Sequence, residues 1–175
     1  SFVLTPIRQA FDLKIREGRK FPVELFVMSQ CPFGVMAEQT LADLITEYSD
    51  KIEFRLNFIG SISVEGAQVN SLHGQPEVEE DIRQLIIADR FPNRLLPYLK
   101  ARAKNYMSPD WQSVAYSVGL DTLAIHRAAT DATGAEALRN NIRLAQERGV
   151  TASPSLYIDG VKYAGLLIDP NANRA

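Results

Sequence analysis

Cys31 is the only cysteine among 175 residues, and it stands in FVMSQCPFG, residues 26–34, where an apolar run gives way to a helical pattern. A thiol reacts as its thiolate, and a free cysteine, with a pKa of about 8.5, is mostly protonated at neutral pH. Pro32 suits a first helical turn, where its missing N–H would have had no partner. Cys31 therefore falls at the N-cap or N1 position. Unpaired N–H groups and the positive end of the helix dipole favour an anion there. Gly34 occupies the place where a dithiol motif would carry its second cysteine, so no internal disulfide can form. Exchange chemistry at Cys31 would be monothiol, with glutathione or a partner's thiol resolving the intermediate. The rival reading makes Cys31 a small buried hydrophobe at a turn.

A second stretch, GVTASPSLYIDG, residues 149–160, sets Pro154 directly before a strand pattern. Proline lacks a ladder donor and belongs at a strand start. A cis bond there would be a maintained feature, whereas a trans proline would simply open an edge strand.

The elements around these residues follow from periodicity. Residues 1–20 read as an N-terminal extension, within which Val3, Ile7, Ala10 and Phe11 space like a helical stripe. PVELFVM is a strand covered on both faces. Ala37, Leu41, Leu44, Ile45 and Tyr48 form one helical face. In KIEFRLNFI, Ile52, Phe54, Leu56 and Phe58 alternate with Glu53, Arg55 and Asn57, which is strand periodicity. Strand, helix and strand make a parallel, right-handed unit over residues 21–60.

Residues 61–149 read as an all-helical insertion. Val78, Ile82, Leu85 and Ile86 make one stripe, and Leu95, Leu96, Leu99 and Ala103 another. Ser108 is expected to cap a helix with Pro109 in its first turn, Asp121 to cap the next, and Thr133 with Glu136 to form a capping box. Gly149 closes that helix. Residues 150–175 carry a hairpin, SLYI then VKYAG, turning at Asp159-Gly160. Beyond it, Pro170 and the asparagines argue against a covering helix. Either the chain has been trimmed, or the N-terminal extension or a second subunit covers that face, so a homodimer is one expectation.

FVMSQCPFG, the helical insertion and GVTASPSLYIDG together resemble the thioredoxin superfamily, and the insertion is most similar to its DsbA-type branch. The resemblance implies an α/β thioredoxin-like fold with a long helical insertion. It also implies Cys31 as nucleophile, Pro32, Phe33 and Gly34 beside it, and Ser153 with Pro154 as a cis-proline loop that docks an extended substrate chain. A narrower resemblance, in SLHGQPEVEEDIRQ, is to gamma-interferon-inducible lysosomal thiol reductases. His73, Gly74 and Glu77 match their His-Gly signature, while Ser71 and Val78 replace its flanking cysteines. His73 on its own reads as a solvated or core-satisfied side chain.

Nineteen basic against twenty-one acidic residues, a net charge of −2, give no electrostatic case for nucleic acid. No run approaches the roughly 20 apolar residues of a membrane span. One cysteine excludes a cysteine-based zinc cluster. The expected protein is thus a thiol–disulfide oxidoreductase acting on protein or small-molecule thiols and disulfides, with no metal or organic cofactor and glutathione as a possible co-substrate. Two other readings stand beside it: a non-catalytic peptide-binding module, and a glutathione-transferase-like enzyme. The compartment stays open between export and cytoplasm.

Overall fold

The computed structural model describes residues 4–66 and 68–165. Its sheet is built on β1 (Phe21–Val27), whose central position explains its nearly unbroken apolar sequence. β1 pairs in parallel with β2 (Ile52–Phe58) and antiparallel with β5 (Ser155–Ile158), and β6 (Val161–Lys162) completes the order β2-β1-β5-β6. The parallel pair is joined by α2 (Pro32–Glu47). Its face of Ala37, Leu41, Leu44, Ile45 and the following Tyr48 is buried as the spacing requires.

The N-terminal extension is a helix, α1 (Thr5–Ile15), closed onto its own chain. Ile7 and Phe11 are buried, and the Phe11 ring meets Phe21 and Tyr48 edge-on. Residues 61–149 are not helical throughout. A short antiparallel ribbon, β3 (Ser61–Ile62) with β4 (Val69–Asn70), precedes the helices. Two paired residues per strand carry no periodicity to read. There follow α3 (Gln75–Arg90), α4 (Leu95–Ala103), α5 (Trp111–Ser117), α6 (Thr122–Thr130) and α7 (Ala132–Glu147).

Two caps differ from the sequence reading. Asp110, not Ser108, caps α5 by accepting from Ser113 N, and Asp131, not Thr133, caps α7. A carboxylate two residues away takes the free N–H groups with a full charge. Asp121 caps α6, Gly149 sits past the end of α7 at φ 66°, and Asp159-Gly160 turn the hairpin with φ of 53° and 79°. Asn57 is buried rather than outward. Its side-chain oxygen accepts from Asn141 Nδ2, and Asn141 Oδ1 in turn accepts from Phe58 N. The stretch after Gly165 expected to lack a helix lies outside the described residues.

Candidate functional site around Cys31

β1 ends at Val27, and the chain turns through Met28–Gln30, with Cys31 N donating to Met28 O at 3.0 Å. Cys31 is the N-cap of α2 with extended backbone (φ −79°, ψ 121°), and Pro32 opens the helix. Across from it, α7 leads through residues 150–152 to Ser153 and Pro154, joined by a cis peptide bond. Cys31 Sγ lies 3.8 Å from the Ser153 carbonyl, the distance of a weak S–H donor to oxygen. Ser153 Oγ accepts from Met28 N at 2.9 Å, which ties this loop to the turn before the thiol. Pro32 and Phe33 are exposed and Pro154 is half-buried. The two segments singled out in the sequence, residues 31–34 and 153–154, therefore meet, through Cys31 and Gly34 against Ser153. Cys31 is only 8% exposed.

Gly34 has a steric reason to be glycine. A Cβ built there would meet Ser153 Oγ at 2.7 Å, Met28 O at 3.1 Å and Val27 Cβ at 3.3 Å. The Ser153 hydroxyl fills the space a second cysteine would need. Gly34→Cys is expected to cost about 1–3 kcal/mol by overpacking. The cost should shrink when Ser153→Ala is added, a positive coupling that urea unfolding of the two single variants and the double variant would read out.

The second wall is acidic. Glu77, fully buried at the start of α3, accepts from Gln30 N at 2.8 Å and lies 2.8 Å from His73 Nδ1 through the same oxygen. Its other oxygen accepts from His73 N at 3.3 Å. Asp81, one turn on, accepts from Ser29 N and from Ser71 Oγ, each at 3.3 Å. The turn carrying Cys31 is thus held from one side by Ser153 and from the other by two carboxyl groups of α3. His73 is exposed, as the solvated reading expects, and its ring nitrogen is also bonded to Glu77. Ser29, Gln30, Asp81 and Glu38 were not picked out in the sequence. One signal for the α3 acids was present: Glu77, Glu80, Asp81 and Gln84 recur at helical spacing and make a buried polar stripe beside the apolar one.

Burial pushes the Glu38 carboxyl well above the ordinary carboxylate range, and the charges of Glu80, Asp81 and Cys31 add to the rise. Burial likewise raises Asp81 well above its usual value; hydrogen bonds from Ser29 oppose the rise, and the charges of Glu77 and Glu80 assist it. Burial thus disfavours ionisation of both groups. A folded-state pKa above the unfolded one contributes stability below the unfolded value and loses it as pH rises through the folded value. Glu38→Gln should therefore gain stability relative to the parent as pH rises above about 4.5, the ordinary glutamate range. Chemical unfolding at acidic and at mildly alkaline pH would show the difference. An unchanged difference between the two would contradict the assignment.

Neither a scan against protein-family models nor a search of curated proteins finds a match. Solved structures do match. Oxidised BdbD from Bacillus subtilis superposes with a TM-score of 0.64 at 12% identity, over 83% of this chain and 79% of that one. The thiol-disulfide exchange protein alpha-DsbA2 from Wolbachia pipientis gives 0.65 at 15%, over 88% and 78%. MdbA, a thiol-disulfide oxidoreductase from Actinomyces oris, gives 0.63 at 14%, over 84% and 74%. The fold is the thioredoxin-like one with a helical insertion, of the DsbA-like kind.

Proposed function

We propose that this chain is a thiol–disulfide exchange protein that works through Cys31 alone. The observation that carries this reading is the 3.8 Å approach of Cys31 Sγ, at the N-cap of α2, to the carbonyl of Ser153 in the loop that ends in cis Pro154. In the first step the Cys31 thiolate attacks the glutathionyl sulfur of a mixed disulfide. A Cys31–glutathione disulfide forms, the original S–S bond breaks, and the departing thiolate takes a proton from solvent. In the second, the thiolate of reduced glutathione attacks the glutathionyl sulfur held on Cys31. Oxidised glutathione leaves and the Cys31 thiolate is restored. The net change is reduction of one mixed disulfide by one molecule of reduced glutathione, which leaves joined to the substrate's glutathionyl group as oxidised glutathione.

In this reading Ser153 and Pro154 offer backbone to an extended substrate, Gly34 lets the Ser153 loop approach the start of α2 closely, and Pro32 with Phe33 present an apolar rim. Partners are protein or small-molecule disulfides, and no metal or organic cofactor is required. A second reading, a peptide-binding module without chemistry, draws on the 8% exposure of Cys31 and on the space at residue 34 being closed to a second thiol. Turnover of a glutathionylated peptide under reduced glutathione, by the parent and by Cys31→Ser, separates the two. Turnover by the parent and not the variant supports exchange. No turnover by either, with equal retention of the peptide, supports binding.

A further inference from the structure

We propose that the free edge of β2 pairs with the same edge of a second copy of this chain, joining two four-stranded sheets into one. The inference rests on that edge and not on the thiol reading. Among the described residues β2 pairs with β1 alone and ends the sheet. The direction of its free groups follows from its bonds. Ile59 N donates to Val27 O in β1, whereas Ile52 N and Phe58 N turn the other way, to Tyr48 O and to Asn141 of α7. Backbone groups alternate sides along a strand, so Phe54 and Leu56 carry the outward-facing donors and acceptors. Among the described residues no proline or bulge interrupts this stretch, and the exposed charges of Glu53 and Arg55 are what it carries instead. Proline, a bulge or a covering helix is the usual protection of an exposed edge.

The sequence of β2 reads as its own partner. Antiparallel pairing about Phe54 sets Phe54 against Phe54 of the second copy, and Ile52 against its Leu56. On the opposite face Glu53 falls against its Arg55, and Arg55 against its Glu53. In one chain these two charges already touch at 3.2 Å, each about half exposed, so turning to a partner costs them little. About four main-chain hydrogen bonds close the ladder. Beside the edge runs an open groove of about 450 Å³ between β2 and the helices, lined by Phe54, Leu56, Leu85, Ala88 and Leu96. All but Leu56 are half-buried apolar side chains resting on the core. A second Phe54 would fill that groove. Moving the axis by two residues to Leu56 would instead set Arg55 against Asn57 and lose both ion pairs.

Sedimentation velocity over a range of concentrations, on the parent, Glu53→Arg, Arg55→Glu and the double exchange, tests this. The parent should show a monomer–dimer equilibrium. Each single reversal places like charges opposite one another twice in the symmetric ladder and should weaken dimerisation roughly tenfold or more. The double exchange restores opposite charges and should return the dissociation constant to within about threefold of the parent. All four positions of charge are exposed, and a matching circular dichroism spectrum checks that each variant is folded. A parent that stays monomeric overturns the proposal. So does a dimer indifferent to the single reversals, or a double exchange no better than either.

Discussion

Replacing Cys31 by serine is expected to bring glutathione exchange down to the rate measured without protein, a loss of at least about a hundredfold. Serine keeps the N-cap, which a hydroxyl supports well. It gives up only the weak contact of the thiol with the Ser153 carbonyl at 3.8 Å, which a hydroxyl on its shorter bond does not reach. Fold and stability should therefore change little while chemistry is lost, because an alcohol is not ionised near neutral pH and has no exchange reaction with a disulfide. A rate that survives the substitution would place the chemistry elsewhere, and this chain holds no other cysteine. Disulfide exchange would then be excluded.

The second large effect is on stability. Glu80 is buried in the helical insertion, where Arg83 donates to it twice at 3.0 and 2.9 Å, Gln84 at 3.0 Å and Tyr98 at 2.9 Å. Arg102, 3% exposed, lies 3.4 Å from the same carboxylate and donates to the carbonyls of Asn105 and Ser108 at 2.8 and 2.7 Å. Burial pushes the Tyr98 hydroxyl up, so it remains a donor. Arg102→Met keeps the stem and removes the charge. It strips two carbonyls of their donor and takes one of two cations from a buried carboxylate. Breaking such a pair costs about 3–5 kcal/mol. The melting temperature should fall by roughly 10 °C. Adding Glu80→Gln should recover part of the loss, since a neutral amide then stands where an under-compensated carboxylate was buried. Equal melting temperatures for parent and Arg102→Met would show that the network carries no net stability.

What was legible in the sequence is what depends on neighbours along the chain. The alternation of Ile52 to Phe58, the stripe on α2, the proline that sets Cys31 at the helix start and the Asp159-Gly160 turn are all local. What was not legible depends on distance or on close competition. Asn57 looks outward by period, and only Asn141, 84 positions on, makes its burial tolerable. Ser108 and Asp110, or Thr133 and Asp131, offer rival caps within two residues, and small differences in charge decide between them. The contact of Cys31 with Ser153 spans 122 positions, so no local pattern carries it; it was expected only from resemblance. The Ser153 hydroxyl against Gly34 explains the missing second thiol in steric terms that no reading of residues 31–34 alone could supply.

Intact-mass spectrometry of the native protein exposed to oxidised glutathione puts the reading of Cys31 to its most direct test. One glutathione should add, at Cys31, faster than to a free cysteine at the same pH, and reduced glutathione should remove it. A native protein that stays unmodified, and takes up the adduct only once denaturant unfolds it, would make Cys31 a packing residue and end the case for exchange.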